Sequence, residues 1–146
     1  MKVVVDSNIM ISALINTNGN EFAILANRNN RLKFFSSKLI IEETAKKFKQ
    51  ISSLTRNSEI EIQTQFYNMI DTFRLIEEKK INDETLLKAS ALISGLDRND
   101  YLFLAVTIYC NSLLWTGDLK LFRGLRRKGF NSIITTKELK EIIKGL

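Results

Sequence analysis

Acidic residues occur in four segments of the chain that are far apart in sequence, at the ends of predicted strands or in the first turns of predicted helices. The candidates are Asp6, Glu42 and Glu43, Asp97 and Asp100, and Asp118. In an open parallel sheet, ligands bind beyond the carboxyl ends of the strands, because the strand-to-helix loops converge there. We therefore expect these segments to bring their carboxylates together at one edge of the molecule.

Carboxylates placed in this way repel one another unless a cation lies between them. Two of them about 4 Å apart repel by roughly 4 kcal/mol at an effective dielectric constant near 20. Three or four would strain a domain whose whole stability is about 5–15 kcal/mol. Hard oxygen ligands suit Mg²⁺ or Mn²⁺. Such a metal polarises a phosphodiester and lowers the pKa of a bound water, so the acids predict phosphodiester hydrolysis.

Helix capping is the alternative explanation for each acid taken separately. Four residues could accept hydrogen bonds from the first N–H groups of a helix, namely Asp6, Ser7, Asp97 and Asp118. Asp100 could complete a capping box with Asp97, and acids in a first turn also gain from the helix dipole. The capping account has to be repeated at four independent strand ends, which makes a shared pocket the better explanation.

The composition restricts the chemistry further. The 146 residues contain no histidine and one cysteine, Cys110, which lies in an apolar run and is expected in the core. This removes Ser-His and Cys-His nucleophiles and most zinc sites. The net charge of +6 favours an anionic partner such as nucleic acid. No apolar run approaches the roughly 18 residues of a membrane span, and no signal peptide is visible, so we expect a soluble cytoplasmic protein.

The elements that must position the acids alternate between strand and helix. Strands are expected at 3–5, 32–35, 75–76, 112–115 and 133–134. Helices are expected at 9–15, 21–28, 38–49, 59–72, 84–94 and 100–109, in a basic segment ending at 128, and after a capping box formed by Thr135 and Glu138. This alternation predicts a three-layer α/β/α fold with a central parallel sheet of about four or five strands. With no linker or repeat, we expect a single domain over residues 1–146.

Four sequence blocks together resemble a known family. They are "VVVDSNIMISAL" (3–14), "LIIEETAKKF" (39–48), "DRNDYLFLAVTIYCNSLLWTGDLKLF" (97–122) and "IITTKEL" (133–139). Their order is an Asp-x-Asn after the first strand, a helical Glu, an Asp opening an apolar helix and a Thr-x-Asp after a strand. This ordered set resembles the PIN domain, and is similar to the ribonuclease toxins of the VapC type, over essentially the whole chain.

The resemblance implies a PIN-like fold and a metal-dependent endoribonuclease using Mg²⁺ or Mn²⁺. The four acidic positions of the family, both catalytic and metal-binding, match Asp6, Glu43, Asp100 and Asp118. Asn8 matches the polar residue two after the first acid. Thr116 matches the hydroxyl beside the last acid, where it would orient a carboxylate or a metal-bound water. Asp97 is an auxiliary candidate, with capping as its alternative.

One position departs from the family pattern. Many members carry another acid two residues after Thr-x-Asp, and here that position is Lys120, which weakens a second metal site and is compatible with one-metal or weakly bound two-metal operation. The basic segment that follows predicts contacts with an RNA backbone from Lys120, Arg123, Arg126 and Arg127. A solvated helix face is the alternative for these charges. Trp115 lies in a strand and is predicted to pack in the core rather than to stack on a base.

Three functions from different classes are compatible with these residues. The first is a metal-dependent ribonuclease, the toxin of a toxin–antitoxin pair, with RNA, an antitoxin protein and a second copy of the chain as partners. The second is a non-catalytic PIN-like module that binds RNA or protein. The third is a signalling receiver, which would need an acidic pair after the first strand, where this chain has Asp6 followed by Ser7.

Overall fold

A five-stranded parallel sheet forms the centre of the computed structural model, which describes residues 1–27 and 31–146. The strands are β1 (Lys2–Val5), β2 (Lys33–Ser37), β3 (Arg74–Ile76), β4 (Leu113–Trp115) and β5 (Ile133–Ile134). They lie in the order β3-β2-β1-β4-β5, and all four neighbouring pairs are parallel. The sheet confirms the predicted α/β class and strand number.

Helices pack on both faces of this sheet. Those in the described ranges are α1 (Ser7–Ile15), α2 (Asn20–Ala26), α3 (Leu39–Ala45), α4 (Phe48–Leu54), α5 (Glu59–Ile70), α6 (Asp83–Ile93), α7 (Tyr101–Tyr109), α8 (Leu119–Arg127) and α9 (Thr136–Lys144). Helix α1 contacts α2 to α5, whereas α6 pairs with α7, which packs on β1, β2 and β4. The predicted α/β/α layering is confirmed. None of these helices combines the length and apolar character that crossing a membrane requires.

The core is built around β1 and α7. Val3, Val4 and Val5 are fully buried, because a central parallel strand is covered by helices on both faces. Helix α7 is buried continuously from Phe103 to Thr107, as its apolar sequence predicted. Trp115 is also in the core, and its indole N–H donates to Thr136 Oγ1 at 3.0 Å. The prediction that this tryptophan packs rather than stacks on a ligand is confirmed.

The helix expected at 38–49 differs from the structure. It is divided into α3, which buries Ile40 and Thr44, and α4, which buries Phe48 and Ile51. Phe48, the first residue of α4, packs its ring against Phe66 of α5, with ring centroids 5.5 Å apart. Burial of this aromatic pair is a long-range gain that local periodicity does not reveal.

Helix ends follow the sequence signals closely. Thr135 and Glu138 form the predicted capping box of α9. Helix α6 begins one residue earlier than expected, because Asn82 and not Asp83 accepts the hydrogen bond from the Thr85 N–H. Of the helix expected at 21–28, α2 ends at Ala26, and residue 28 lies outside the described residues.

Candidate metal centre

Asp6 lies at the carboxyl edge of the sheet, directly after the central strand β1. Its backbone N–H donates to the carbonyl of Trp115 at 3.2 Å, so the chain leaves β1 beside the end of β4. The residue is only 1% exposed. A carboxyl group directly after β1 is therefore buried as completely as the residues of the hydrophobic core.

Groups from three residues, Ser7, Asn8 and Thr116, surround the Asp6 carboxylate, and Ser7 Oγ lies 3.4 Å from Oδ1. Oδ2 accepts from Thr116 Oγ1 at 3.0 Å and from Asn8 Nδ2 at 3.4 Å. Oδ1 accepts from the Asn8 backbone N–H at 3.4 Å, which makes Asp6 the N-cap of α1. Capping and membership of the acidic site therefore coexist at this residue.

Asn8 and Thr116 also connect the two loops that carry Asp6 and Asp118. Thr116 Oγ1 accepts from the Asp118 N–H at 3.1 Å while its proton goes to Asp6. Asn8 Oδ1 accepts from the Gly117 N–H at 3.1 Å. These bonds hold the loop after β1 against the loop after β4, which is the geometry expected of residues that support an active site.

The structure distinguishes Glu43 from its neighbour Glu42. Ser7 Oγ donates to Glu43 Oε2 at 2.6 Å, which brings this carboxylate to the Asp6 edge. The Glu42 side chain is 66% exposed and forms an ion pair with Lys46 at 3.8 Å. Sequence reasoning assigned Ser7 only a capping role. The position of Ser7 next to Asp6 in the sequence could have indicated a role in the site. Its hydrogen-bond partner, Glu43, lies on α3, and the sequence does not show that the two residues meet.

Asp118 and Asp97 have local roles as caps. Asp118 Oδ1 accepts from the backbone N–H groups of Lys120 at 3.0 Å and Leu121 at 3.1 Å, at the start of α8. Asp97 is exposed and accepts from the Asn99 N–H at 2.9 Å, at the start of the 3-10 turn Arg98–Asp100. The cap predicted as the alternative for Asp97 is thus present, and Asp118 combines a cap with its place at the edge.

Asp100 differs from the other acids because no capping bond explains it. The residue is 8% exposed at the start of α7, and its side chain makes no hydrogen bond within residues 1–27 and 31–146. The capping box with Asp97 that was considered from the sequence is not formed. Thr44 Oγ1 is the buried side-chain atom without a hydrogen bond among the described residues, so the Asp100 oxygens are still reached by solvent at the edge and are open to a ligand there.

The four predicted acids lie within one electrostatic field. The pKa of Asp6 is raised to about 6, mainly because the carboxyl is buried. Hydrogen bonds from Thr116 and Asn8 lower this pKa, and the negative charges of Glu43 and Asp118 raise it. Burial also raises the pKa of Asp100 to about 7, followed by repulsion from other carboxylates, which are those of Asp6, Asp97, Asp118 and Glu43. The four acids thus lie within range of one another's charge, and hydrogen-bonded contacts through Ser7 and Thr116 link Glu43 and Asp118 to the surroundings of Asp6.

The chemistry of this cluster fits a hard divalent cation. All of its donors are oxygen atoms, and none of the four acids forms an ion pair with a lysine or arginine in the described part of the chain. Within that part, no three acidic side chains are already arranged as a metal site. What fits is therefore the donor type and the unbalanced negative charge, not a completed coordination shell.

The basic helix α8 starts at Asp118, and its four predicted RNA-binding residues are used differently. The Arg126 guanidinium donates to Glu138 Oε2 at 3.0 Å and to the Ile133 carbonyl at 3.2 Å, and it lies over the ring of Phe122. It thereby joins α8 to β5 and α9. The other three are exposed and have no ion pair in the described ranges, namely Lys120, Arg123 and Arg127.

A parallel α/β/α domain with an oxygen-lined acidic cluster at the carboxyl edge of its sheet defines the class of this molecule. Residues 4–141 match the PIN domain family, and the chain belongs to that family. This confirms the resemblance drawn from the motifs. No curated protein matches the sequence.

Two solved structures show the same fold. One is VapBC2 from Rickettsia felis bound to a DNA fragment from their promoter, at 15% identity and a TM-score of 0.64, over 92% of this chain and 97% of that one. The other is PAE2754 from Pyrobaculum aerophilum, at 16% identity and a TM-score of 0.69, over 100% of this chain and 91% of that one. At these identities the likeness establishes the fold alone.

Proposed function

We propose that the protein is a metal-dependent endoribonuclease that hydrolyses RNA phosphodiester bonds with Mg²⁺ or Mn²⁺. The observation that carries the proposal is Asp100, which is 8% exposed, has no side-chain hydrogen bond to the described residues and faces repulsion from four neighbouring acids. Buried polar groups with a purely structural role normally have a partner. A divalent cation at this edge would supply it.

The residues divide into ligands and supports. The side chains that would hold the cation are Asp6, Glu43, Asp100 and Asp118. When bound, the cation would polarise the phosphodiester and lower the pKa of an attacking water. Thr116 and Asn8 hold the Asp6 carboxylate through their hydrogen bonds, and the burial of Asp6 keeps bulk water from competing for it.

The cationic residues of α8 are proposed to contact the RNA backbone. Lys120, Arg123 and Arg127 are exposed on α8; Lys120 is two residues from Asp118, and the other two lie further along the helix. Phosphate contacts by such residues provide most sequence-independent affinity for nucleic acid. Arg126 is proposed as a weaker contributor, because Glu138 neutralises its charge.

A role as the toxin of a toxin–antitoxin pair is the biological context that we propose. Membership of the PIN domain family and the fold shared with VapBC2 support it. The partners would then be RNA, an antitoxin protein and a second copy of the chain, in the cytoplasm. Coexpression with the product of an adjacent gene, followed by copurification and relief of growth arrest, tests this context.

The enzymatic proposal is tested with purified protein and a mixed RNA substrate. Cleavage is expected with Mg²⁺ or Mn²⁺ and should stop when EDTA is added. The Asp100→Asn variant should fold but lose cleavage, whereas the matched variant Asp97→Asn, which changes an exposed cap three residues away, should keep most of it. Loss of folding in Asp100→Asn would instead support a structural role for that carboxylate.

A non-catalytic PIN-like module that binds RNA is the second candidate. It is favoured by the absence, among the described residues, of three acids already arranged around a metal position. RNA binding that persists in EDTA, together with no cleavage under Mg²⁺ or Mn²⁺, would establish this candidate and exclude the nuclease.

A further inference from the structure

The hydroxyl of Ser7 joins two segments that are 36 residues apart. Its Oγ donates to Glu43 Oε2 at 2.6 Å, while the nearer acid in sequence, Asp6, has its Oδ1 at 3.4 Å. A serine hydroxyl has a single proton to donate. The shorter contact shows that Glu43 receives it.

This bond does not belong to the capping of α1. Ser7 is the first residue of that helix, and the N-cap role is taken by the preceding Asp6. The two side-chain acceptors within reach of the Ser7 hydroxyl in the described ranges are both carboxylate oxygens. Its hydroxyl therefore acts on the acidic edge and not on the helix backbone.

The hydrogen bond from Ser7 decides whether the Glu43 side chain lies at the sheet edge or extends into solvent. A glutamate side chain has three rotatable bonds and loses substantial conformational entropy when it is held in place. Glu42, one residue earlier on α3, shows the alternative, because its carboxylate extends into solvent towards Lys46. Ser7 supplies the donor that keeps Glu43 at the sheet edge.

We propose that Ser7 is a positioning residue whose hydroxyl holds the Glu43 carboxylate ready for a divalent cation. The inference rests on the proposed function and deepens it, since Ser7 would act through Glu43 without touching the substrate. Groups that orient a metal ligand typically contribute 10–100-fold to metal affinity or activity.

The test measures Mn²⁺ binding to the full chain by isothermal titration calorimetry, separately from cleavage. Ser7→Ala is expected to raise the Kd about 10-fold. Ser7→Thr keeps a hydroxyl at the same position and should restore most of the affinity. In cleavage assays, the midpoint of the Mn²⁺ titration should shift by a similar factor in Ser7→Ala, with the rate at saturating metal close to that of the wild type.

Ser58 provides a matched control, because its hydroxyl is also hydrogen-bonded to a glutamate carboxylate, at an exposed position in another part of the sequence. Its Oγ donates to Glu61 Oε1 at 3.2 Å and accepts from the Glu61 N–H at 3.2 Å as the cap of α5. Ser58→Ala should lower thermal stability and leave the Mn²⁺ affinity unchanged. A merely structural Ser7 would give the same pattern as Ser58.

A double-variant comparison isolates the link between the two side chains. In a Glu43→Ala background, adding Ser7→Ala should produce no further loss of Mn²⁺ affinity. A folded Ser7→Ala protein with wild-type affinity would overturn this inference while leaving the proposed nuclease intact. A wild-type protein that binds no Mn²⁺ would overturn both.

Discussion

The two edges of the sheet carry opposite charge in very different surroundings. At the carboxyl edge, Asp6 and Asp100 are buried and both have a raised pKa. At the amino edge, three cations are exposed at the starts of their strands, Lys2, Lys33 and Arg74, and Lys2 is the register partner of Lys33. Within the described ranges, none of these three forms an ion pair.

The difference shows which group of charges requires a functional explanation. Exposed like charges remain hydrated, and salt screens them, so the amino edge costs the fold little. Ionised carboxylates moved out of water carry a desolvation cost until a proton or a cation offsets it. Only the carboxyl edge therefore holds a persistent instability that a bound cation would remove.

Asp6→Asn is the substitution expected to have the largest effect, because it removes a buried charge from the carboxyl edge. Removing one ligand charge should reduce RNA cleavage at least about 100-fold, since a metal contributes several kcal/mol to the transition state. The free energy of unfolding without metal should rise at pH 8 by up to about 3 kcal/mol, the cost of ionising a carboxyl whose pKa is about 6 instead of 3.8. Cleavage assays and urea unfolding measure the two effects.

The control for Asp6→Asn is Asp83→Asn, which removes an exposed acid from the first turn of α6. This variant should cleave normally and change stability by only about 0.5 kcal/mol. If Asp6→Asn is instead less stable than the wild type at pH 8, its capping of α1 outweighs the charge that it buries.

The pH dependence of stability is a second test of the difference between the buried carboxyl edge and the exposed amino edge. The folded-state pKa values of Asp6 and Asp100, about 6 and about 7, exceed the ordinary value of 3.8, so the folded chain binds more protons than the unfolded chain. Their contribution to stability is present in full below about pH 4 and is lost as the pH rises through 6 and 7. Urea unfolding at pH 4, 6 and 8 without metal should show the decrease.

Mg²⁺ provides the control for the pH series. Bound cation should stabilise the ionised carboxylates, so the decrease between pH 6 and pH 8 should become smaller at millimolar Mg²⁺. If stability decreases by the same amount between pH 6 and pH 8 with and without Mg²⁺, a cation at this edge is contradicted.

The smallest effect is expected at the amino edge. The double variant Lys33→Gln/Arg74→Gln should change the free energy of unfolding by no more than about 0.5 kcal/mol, as is usual for exposed surface positions. Cleavage of a short RNA in about 0.15 M salt should stay within about threefold of the wild type. A much larger loss of cleavage would mean that this edge takes part in substrate binding.

Much of the fold could be predicted because its signals are local. The valine run before Asp6 predicted a buried strand, and the structure places β1 at Lys2–Val5. The last strand and the Thr135–Glu138 capping box were predicted at their observed positions. Hydrophobic periodicity and capping depend on neighbours within one or two turns, and these neighbours are present in the sequence itself.

The candidate site was predicted only in outline. The motifs identified the residues of the acidic set, but they could not show that Ser7 donates to Glu43 or that Arg126 is bound to Glu138. The division of the helix expected at 38–49 was also missed, because it depends on Phe48 meeting α5. Each of these features joins segments that are distant in the chain.

By itself, the sequence determined the order of strands and helices and the acidic character of the loops at the carboxyl edge. Only the tertiary structure decided which glutamate turns inward and that Asp100 is 8% exposed with no side-chain hydrogen bond to the described residues. The physical reason is that propensity and capping act between near neighbours, whereas desolvation and long-range hydrogen bonds depend on which segments pack together.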